Sequence, residues 1–193
     1  MIPVLSSISY RIYRTSLANS LYCTYTSTRI RTMTTQPQSQ NQPERPWYEA
    51  YPAPRNVAAS VTREEVLQWF RDGRRPGTDF VLVDLRRTDF EGGTIRGSLN
   101  LPAQSLYPTL PTLHALLSAS GVDSVVFYCG SSRGRGTRAA GWFADYLEEK
   151  QDTSLKSLVL EGGIKGWVAA GPEYTALMDG YDAAVWEGGG LNA

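Results

Sequence analysis

Three short apolar runs constrain this chain more than anything else in it: Phe80-Val81-Leu82-Val83-Asp84, Ser124-Val125-Val126-Phe127-Tyr128, and Leu155 to Leu160. Runs that are apolar at nearly every position suit strands buried on both faces, as parallel strands are. Helical patterns fall between the runs. The expected fold class is therefore α/β, a parallel sheet flanked by helices on both faces. In such sheets ligands gather beyond the carboxyl ends of the strands, and Cys129 lies just past one of them.

The helices are signalled locally. Thr62-Arg63-Glu64-Glu65 has the form of a capping box, with Val61 and Val66 placed as a hydrophobic staple. Val66, Leu67, Trp69 and Phe70 supply one apolar face, and Gly73 ends the helix. A turn-rich stretch runs from Glu91-Gly92-Gly93 to Leu101-Pro102, and a second helix is expected over Thr112–Ala119. A third runs from the segment after Cys129 to about Lys150. A short fourth, around Ile164 to Ala169, follows the turn Glu161-Gly162-Gly163.

Cys129-Gly130-Ser131-Ser132-Arg133-Gly134-Arg135 joins the second apolar run to the helix pattern Gly136-Thr137-Arg138-Ala139-Ala140-Gly141-Trp142-Phe143. A tight loop between strand and helix turns its backbone N–H groups toward one point, as an anion-binding nest does. The helix N-terminus adds positive potential there. A cysteine in that setting is favoured as thiolate by the dipoles and the nearby arginines. Cys129 is thus the expected nucleophile, with Gly130, Ser131, Ser132, Arg133 and Gly134 as the oxyanion-binding loop. Arg135 is expected to grip two oxygens of a tetrahedral anion. The plainer reading makes Cys129 a small buried hydrophobe at a strand end. Spacing alone decides nothing, because Cys23-Thr24-Tyr25-Thr26-Ser27-Thr28-Arg29 repeats it without glycine and before no helix pattern. Stiff β-branched residues suit a tight nest poorly.

Zero formal net charge argues against a nucleic-acid or membrane-surface binder, and no apolar run is long enough to span a bilayer. Two cysteines give neither a disulfide framework nor a thiolate metal site, so no metal is expected. His114, the sole histidine, reads as a partly exposed helix residue. Residues 1–45 form a tail, disordered or targeting. Up to Pro43 it carries Arg11, Arg14, Arg29 and Arg31, abundant Ser and Thr, and no acid. That is the composition of a mitochondrial transit peptide, whereas a start at Met33 would leave the protein cytoplasmic. Residues 46–60 are an extended, proline-punctuated lead-in whose aromatics should pack on the domain. The domain itself spans 61–187, and 188–193 form a flexible glycine-rich tail.

Three segments over Val61 to Trp167 together resemble the rhodanese superfamily. Val83-Asp84-Leu85-Arg86 through Phe90, Gly93, Ile95, Gly97, Asn100 and Pro102 is similar to the family's Asp-x-Arg … Phe-x-x-Gly-x-Ile-x-Gly-x-x-Asn-x-Pro signature. The Cys129 loop follows, and Leu160-Glu161-Gly162-Gly163-Ile164-Lys165-Gly166-Trp167 resembles the Leu-x-Gly-Gly-x-x-x-Trp ending. The seven-residue Cys-x5-Arg loop looks like that of eukaryotic arsenate reductases and dual-specificity cell-cycle phosphatases; sulfurtransferases of the superfamily carry a six-residue loop. Tyr128 stands where those branches have His, and Thr94 where sulfurtransferases often have His.

The resemblance implies a cysteine enzyme acting on a tetrahedral oxyanion. Its leading activity would be arsenate reduction, with no bound cofactor, glutathione as co-substrate and a glutaredoxin as partner. The alternatives are a phosphatase for phosphotyrosine or small phosphoesters, a thiosulfate sulfurtransferase acting through a Cys129 persulfide, and a non-catalytic rhodanese-like module. No acid lies inside the loop, so a phosphatase's proton donor is unassigned. Arg133 and Arg138 are expected to be either extra anion contacts or surface residues. Asp84 and Arg86 are expected to form a buried structural pair, and Trp167 a core anchor.

Overall fold

A computed structural model describes residues 45–190. The elements, in chain order, are β1 (Ala59–Val61), α1 (Arg63–Arg71), β2 (Phe80–Asp84), β3 (Thr94–Ile95), β4 (Leu99–Asn100), α2 (Ala103–Leu106), α3 (Leu110–Ser120), β5 (Ser124–Tyr128), α4 (Arg135–Lys150), β6 (Lys156–Leu160), α5 (Gly163–Ala169), α6 (Pro172–Thr175), β7 (Met178–Asp179) and α7 (Ala183–Val185). Short 3-10 turns cover Trp47–Ala50 and Tyr107–Thr109, and one wide turn covers Trp186–Gly190. That last turn takes in the start of the segment expected to be a flexible tail. The targeting reading of residues 1–43 and the Cys23 comparison lie outside the described residues. No described helix is long and apolar enough to cross a membrane.

Five strands form the sheet in the order β1-β6-β5-β2-β4, and every pairing is parallel. The three apolar runs make its centre. Side chains alternate between faces along a strand, and two cores result. Val81, Val83, Val125, Phe127 and Val159 pack with α3, α4 and Trp142. Phe80, Leu82, Val126, Tyr128 and Leu160 pack with α1, α5 and Trp167. Burial of each such large side chain is worth about 1.5–3 kcal/mol. Helices on both faces are therefore what unbroken apolar strands require.

The local signals materialise. Thr62 accepts from the Glu65 backbone N–H at 3.2 Å, and the Glu65 carboxylate accepts from the Thr62 N–H at 2.8 Å. The second helix runs longer than expected, Leu110–Ser120, because Pro111 sits in its first turn, where a missing N–H costs nothing. The turn-rich stretch holds β3 and β4, too short to stand out by periodicity, and β3 pairs antiparallel with the distant β7. The lead-in packs on α4: Trp142 Nε1 donates to Pro52 O at 2.7 Å, and the Trp47 and Tyr51 rings meet Trp142 edge-on.

Candidate active site

The chain leaves β5 at Tyr128 and enters α4 at Arg135, so residues 129–134 are the crossover loop at a central strand's carboxyl end. Cys129 is buried, 4% exposed. Ser132 takes a left-handed conformation, φ +58°, uncommon for a residue with a side chain. That conformation curls the loop and brings Ser132 Oγ to accept from the Cys129 N–H at 3.4 Å.

A second element holds the loop from outside. The first turn of α5 donates Ile164 N–H to the Cys129 carbonyl and Lys165 N–H to the Gly130 carbonyl, both at 3.0 Å. Gly163 makes this approach possible. Its φ is +57°, and a Cβ there would lie 2.4 Å from the Cys129 carbonyl oxygen and 2.7 Å from that of Gly130. The Gly-Gly pair expected only to form a turn also clamps the loop.

Arg135 does not reach into empty space. Its two Nη groups both donate to the Asp89 carboxylate, Nη1 to Oδ1 at 2.8 Å and Nη2 to Oδ2. This hydrogen-bonded pairing holds the Asp89 carboxyl down at about 2, well below the ordinary carboxylate value. The same bonds push the Arg135 guanidinium up; burial opposes them, and the Cys129 sulfur close by adds to the rise. Sequence reasoning missed Asp89. It lies on the loop after β2, and β2 is the direct neighbour of β5. The rule that sites form at adjacent strand ends was the signal that pointed there.

Asp84 and Arg86 are the buried pair expected, at 0% and 2% side-chain exposure. Arg86 Nε and Nη2 donate to the Asp84 carboxylate at 3.0 and 2.7 Å, while Nη1 reaches the Glu91 carbonyl at 2.8 Å and Nη2 also that of Gly93 at 2.6 Å. The Arg86 guanidinium also lies 4.9 Å from the centre of the Phe90 ring. These contacts fix the loop that carries Asp89. Such an ion pair is retained for positioning more than for net stability.

Tyr128 and Cys129 belong to opposite cores. The Tyr128 hydroxyl donates to Ser98 Oγ at 2.7 Å, accepts from the Ile95 N–H at 3.2 Å and lies 2.7 Å from Thr94 Oγ1. Burial, with the Asp84 charge behind it, pushes the phenol well above its ordinary value. Tyr128 thus ties β5 to the turn-rich stretch.

Cys129, Gly130, Ser131, Gly134 and Arg135 line one cavity of about 770 Å³. Ser132 is buried beneath the loop, and Arg133 faces a separate cavity of about 340 Å³ beside Val57 and Thr137. Neither joins the expected group at the main cavity. Arg138 lines both cavities and lies over the Tyr48 ring at 4.0 Å, with no carboxylate paired to it among the described residues. The walls were not foreseen either: Trp47 and Tyr48 from the lead-in, Gln104 from α2, and Val185 and Trp186 beyond β7. Trp186 Nε1 donates to the Gly92 carbonyl at 2.7 Å, which pins this wall to the Asp89 loop.

The Rhodanese-like domain family matches residues 62–170, more than half of the chain, and this protein belongs to that family. It is 34% identical over 96 residues to Arsenical-resistance protein 2 of Saccharomyces cerevisiae, covering 46% of this chain and 74% of that one. It is 34% identical over 101 residues to the Dual specificity phosphatase Cdc25 of Arabidopsis thaliana, covering 51% and 66%. To Arsenate reductase 2.1 of Oryza sativa it is 38% identical over 87 residues, covering 44% and 53%. The last two are thus matched over less than two thirds of their own length. A solved yeast protein tyrosine phosphatase of the rhodanese family shares the fold at a TM-score of 0.58 and 24% identity, covering 68% of this chain and 98% of that one. The chain is a rhodanese-fold protein related to arsenate reductases and Cdc25-like phosphatases.

Proposed function

We propose that this protein is a cysteine-dependent arsenate reductase. The observation that carries the reading is the Cys129–Arg135 loop opening on one cavity, with Asp89 paired to Arg135. A carboxyl held at about 2 is ionised at neutral pH, so Asp89 has no proton to give a leaving alkoxide. Arsenate asks for no such residue, since its hydroxyl leaves as water on taking up the proton that the attacking thiol gives up. Cys129 Sγ attacks arsenic and an As–O bond breaks, while Arg135 and the loop N–H groups hold the remaining oxygens. A peptide thiol displaces a second oxygen as water. Another thiolate then attacks the peptide sulfur on arsenic, forming the disulfide while that S–As electron pair stays on arsenic, and water displaces Cys129 Sγ from the arsenic(III) to free arsenous acid. Overall, arsenic acid and two thiols give arsenous acid, a disulfide and water. Glutathione and a glutaredoxin fit the two thiol roles, because Cys129 is the only cysteine among the described residues.

A second reading, a phosphatase, is favoured by Glu91, an acidic residue that lines the same cavity and lies outside the Arg135 pair. Purified protein assayed at equal concentration separates the readings. Arsenite should form from arsenate with glutathione and glutaredoxin, and Cys129→Ser should abolish it. Turnover of an aryl phosphate far above that of arsenate would overturn the first reading in favour of the second. Preference for thiosulfate and cyanide would overturn both.

A further inference from the structure

The cavity is much larger than its proposed oxyanion. About 770 Å³ is room for a ligand of drug-like size, whereas one tetrahedral anion fills only the end above the loop. The rest has its own chemistry. Arg138 stands on the first turns of α4, stacked on the Tyr48 ring with 4.0 Å between guanidinium carbon and ring centre. Stacking fixes the guanidinium plane and leaves its N–H edge for a planar, bidentate acceptor such as a carboxylate. On the same cavity lies Gln104, whose backbone carbonyl is held by the Tyr51 hydroxyl at 3.2 Å. Its side-chain Oε1 is buried and finds no hydrogen-bond partner among the described residues. A buried acceptor left unpaired costs about 1–3 kcal/mol, and a turn of the Gln104 side chain that brought Oε1 to a ligand N–H in the cavity would recover that.

From these features we infer a second subsite, Arg138–Tyr48–Gln104, that seats the co-substrate of the proposed reaction. It takes a peptide thiol bearing a carboxylate: the carboxylate on Arg138, an amide or ammonium N–H on Gln104 Oε1, the sulfur toward Cys129. An aryl group alone would satisfy the Trp47 and Tyr48 walls but neither polar group. The inference rests on the arsenate-reductase reading, because that reaction brings a thiol to the cavity.

The test uses S-methylglutathione, which keeps both carboxylates and cannot react, titrated against the tryptophan fluorescence of the full chain; Trp47 and Trp186 line the cavity. Saturable binding is expected, weakened about tenfold or more when the carboxylates are esterified or when Arg138 becomes Ala or Gln. Thermal melts of both variants identify a folding defect, and the ester comparison on the unaltered protein needs no variant. Equal binding of acid and ester, or no saturable binding, overturns the subsite. Saturable binding without arsenate reduction by any thiol overturns the reductase reading and leaves the subsite standing.

Discussion

Asp89 and Arg135 meet through two parallel hydrogen bonds although they lie on different crossovers, one after β2 and one after β5. The pairing of those neighbouring strands, in register from Phe80 with Ser124 to Asp84 with Tyr128, is what brings the two loops together. Held this way, the guanidinium keeps one orientation beside Cys129, so its geometry is set before any anion arrives.

Asp89→Asn keeps the shape and removes the charge. It should lower kcat/KM for the oxyanion about tenfold, or roughly 1.4 kcal/mol of transition-state stabilisation. Arg135→Lys should cost more, on the order of 3 kcal/mol, because the planar fork itself is lost. Steady-state kinetics on both variants checks the ranking. Wild-type turnover in Asp89→Asn would mean that the pair does not position Arg135.

The pair also sets an acid limit. The Asp89 carboxyl is depressed from 3.8 to about 2, so its contribution to stability is full above the unfolded value and is lost as pH falls through the folded one. Urea melts from about pH 5 to about pH 2 should show the unaltered protein losing its advantage over Asp89→Asn across that window. A constant difference between the two would show that the pair does not titrate.

Gly163→Ala tests the clamp on the loop. Both strain at φ +57° and collision with the Cys129 and Gly130 carbonyls oppose the new methyl group. Gly73→Ala is the control, since Gly73 has φ +79° and nothing within 4 Å of its missing Cβ. Gly163→Ala should be the more destabilising, by more than about 1 kcal/mol, and should also depress turnover. Equal melting temperatures for the two would remove the clamp from the account.

The sheet was legible because burial on both faces leaves an unbroken apolar run, and Phe80–Asp84 and Ser124–Tyr128 are such runs. The capping box at Thr62 and the loop from Cys129 to Arg135 were legible because each is written in consecutive residues. The partners of the loop were not. Asp89 and Gly163 reach it, and Gln104 and Trp186 wall the cavity above it, from four separate stretches of chain, and only the chain's path brings them there. Two-residue strands such as Thr94–Ile95 were lost for a related reason. Thr94–Ile95 is a strand only because Met178–Asp179 returns to pair with it.

The wall made by Trp186 also fixes when the site is finished. A chain emerging from the ribosome makes Cys129 and Arg135 first and then the α5 turn that grips their loop. The indole that ties Gly92 arrives last. A nascent chain halted before Trp186 therefore carries its nucleophile in a half-walled cleft. Reactivity at Cys129 and completion of this wall are separate events in the birth of the molecule.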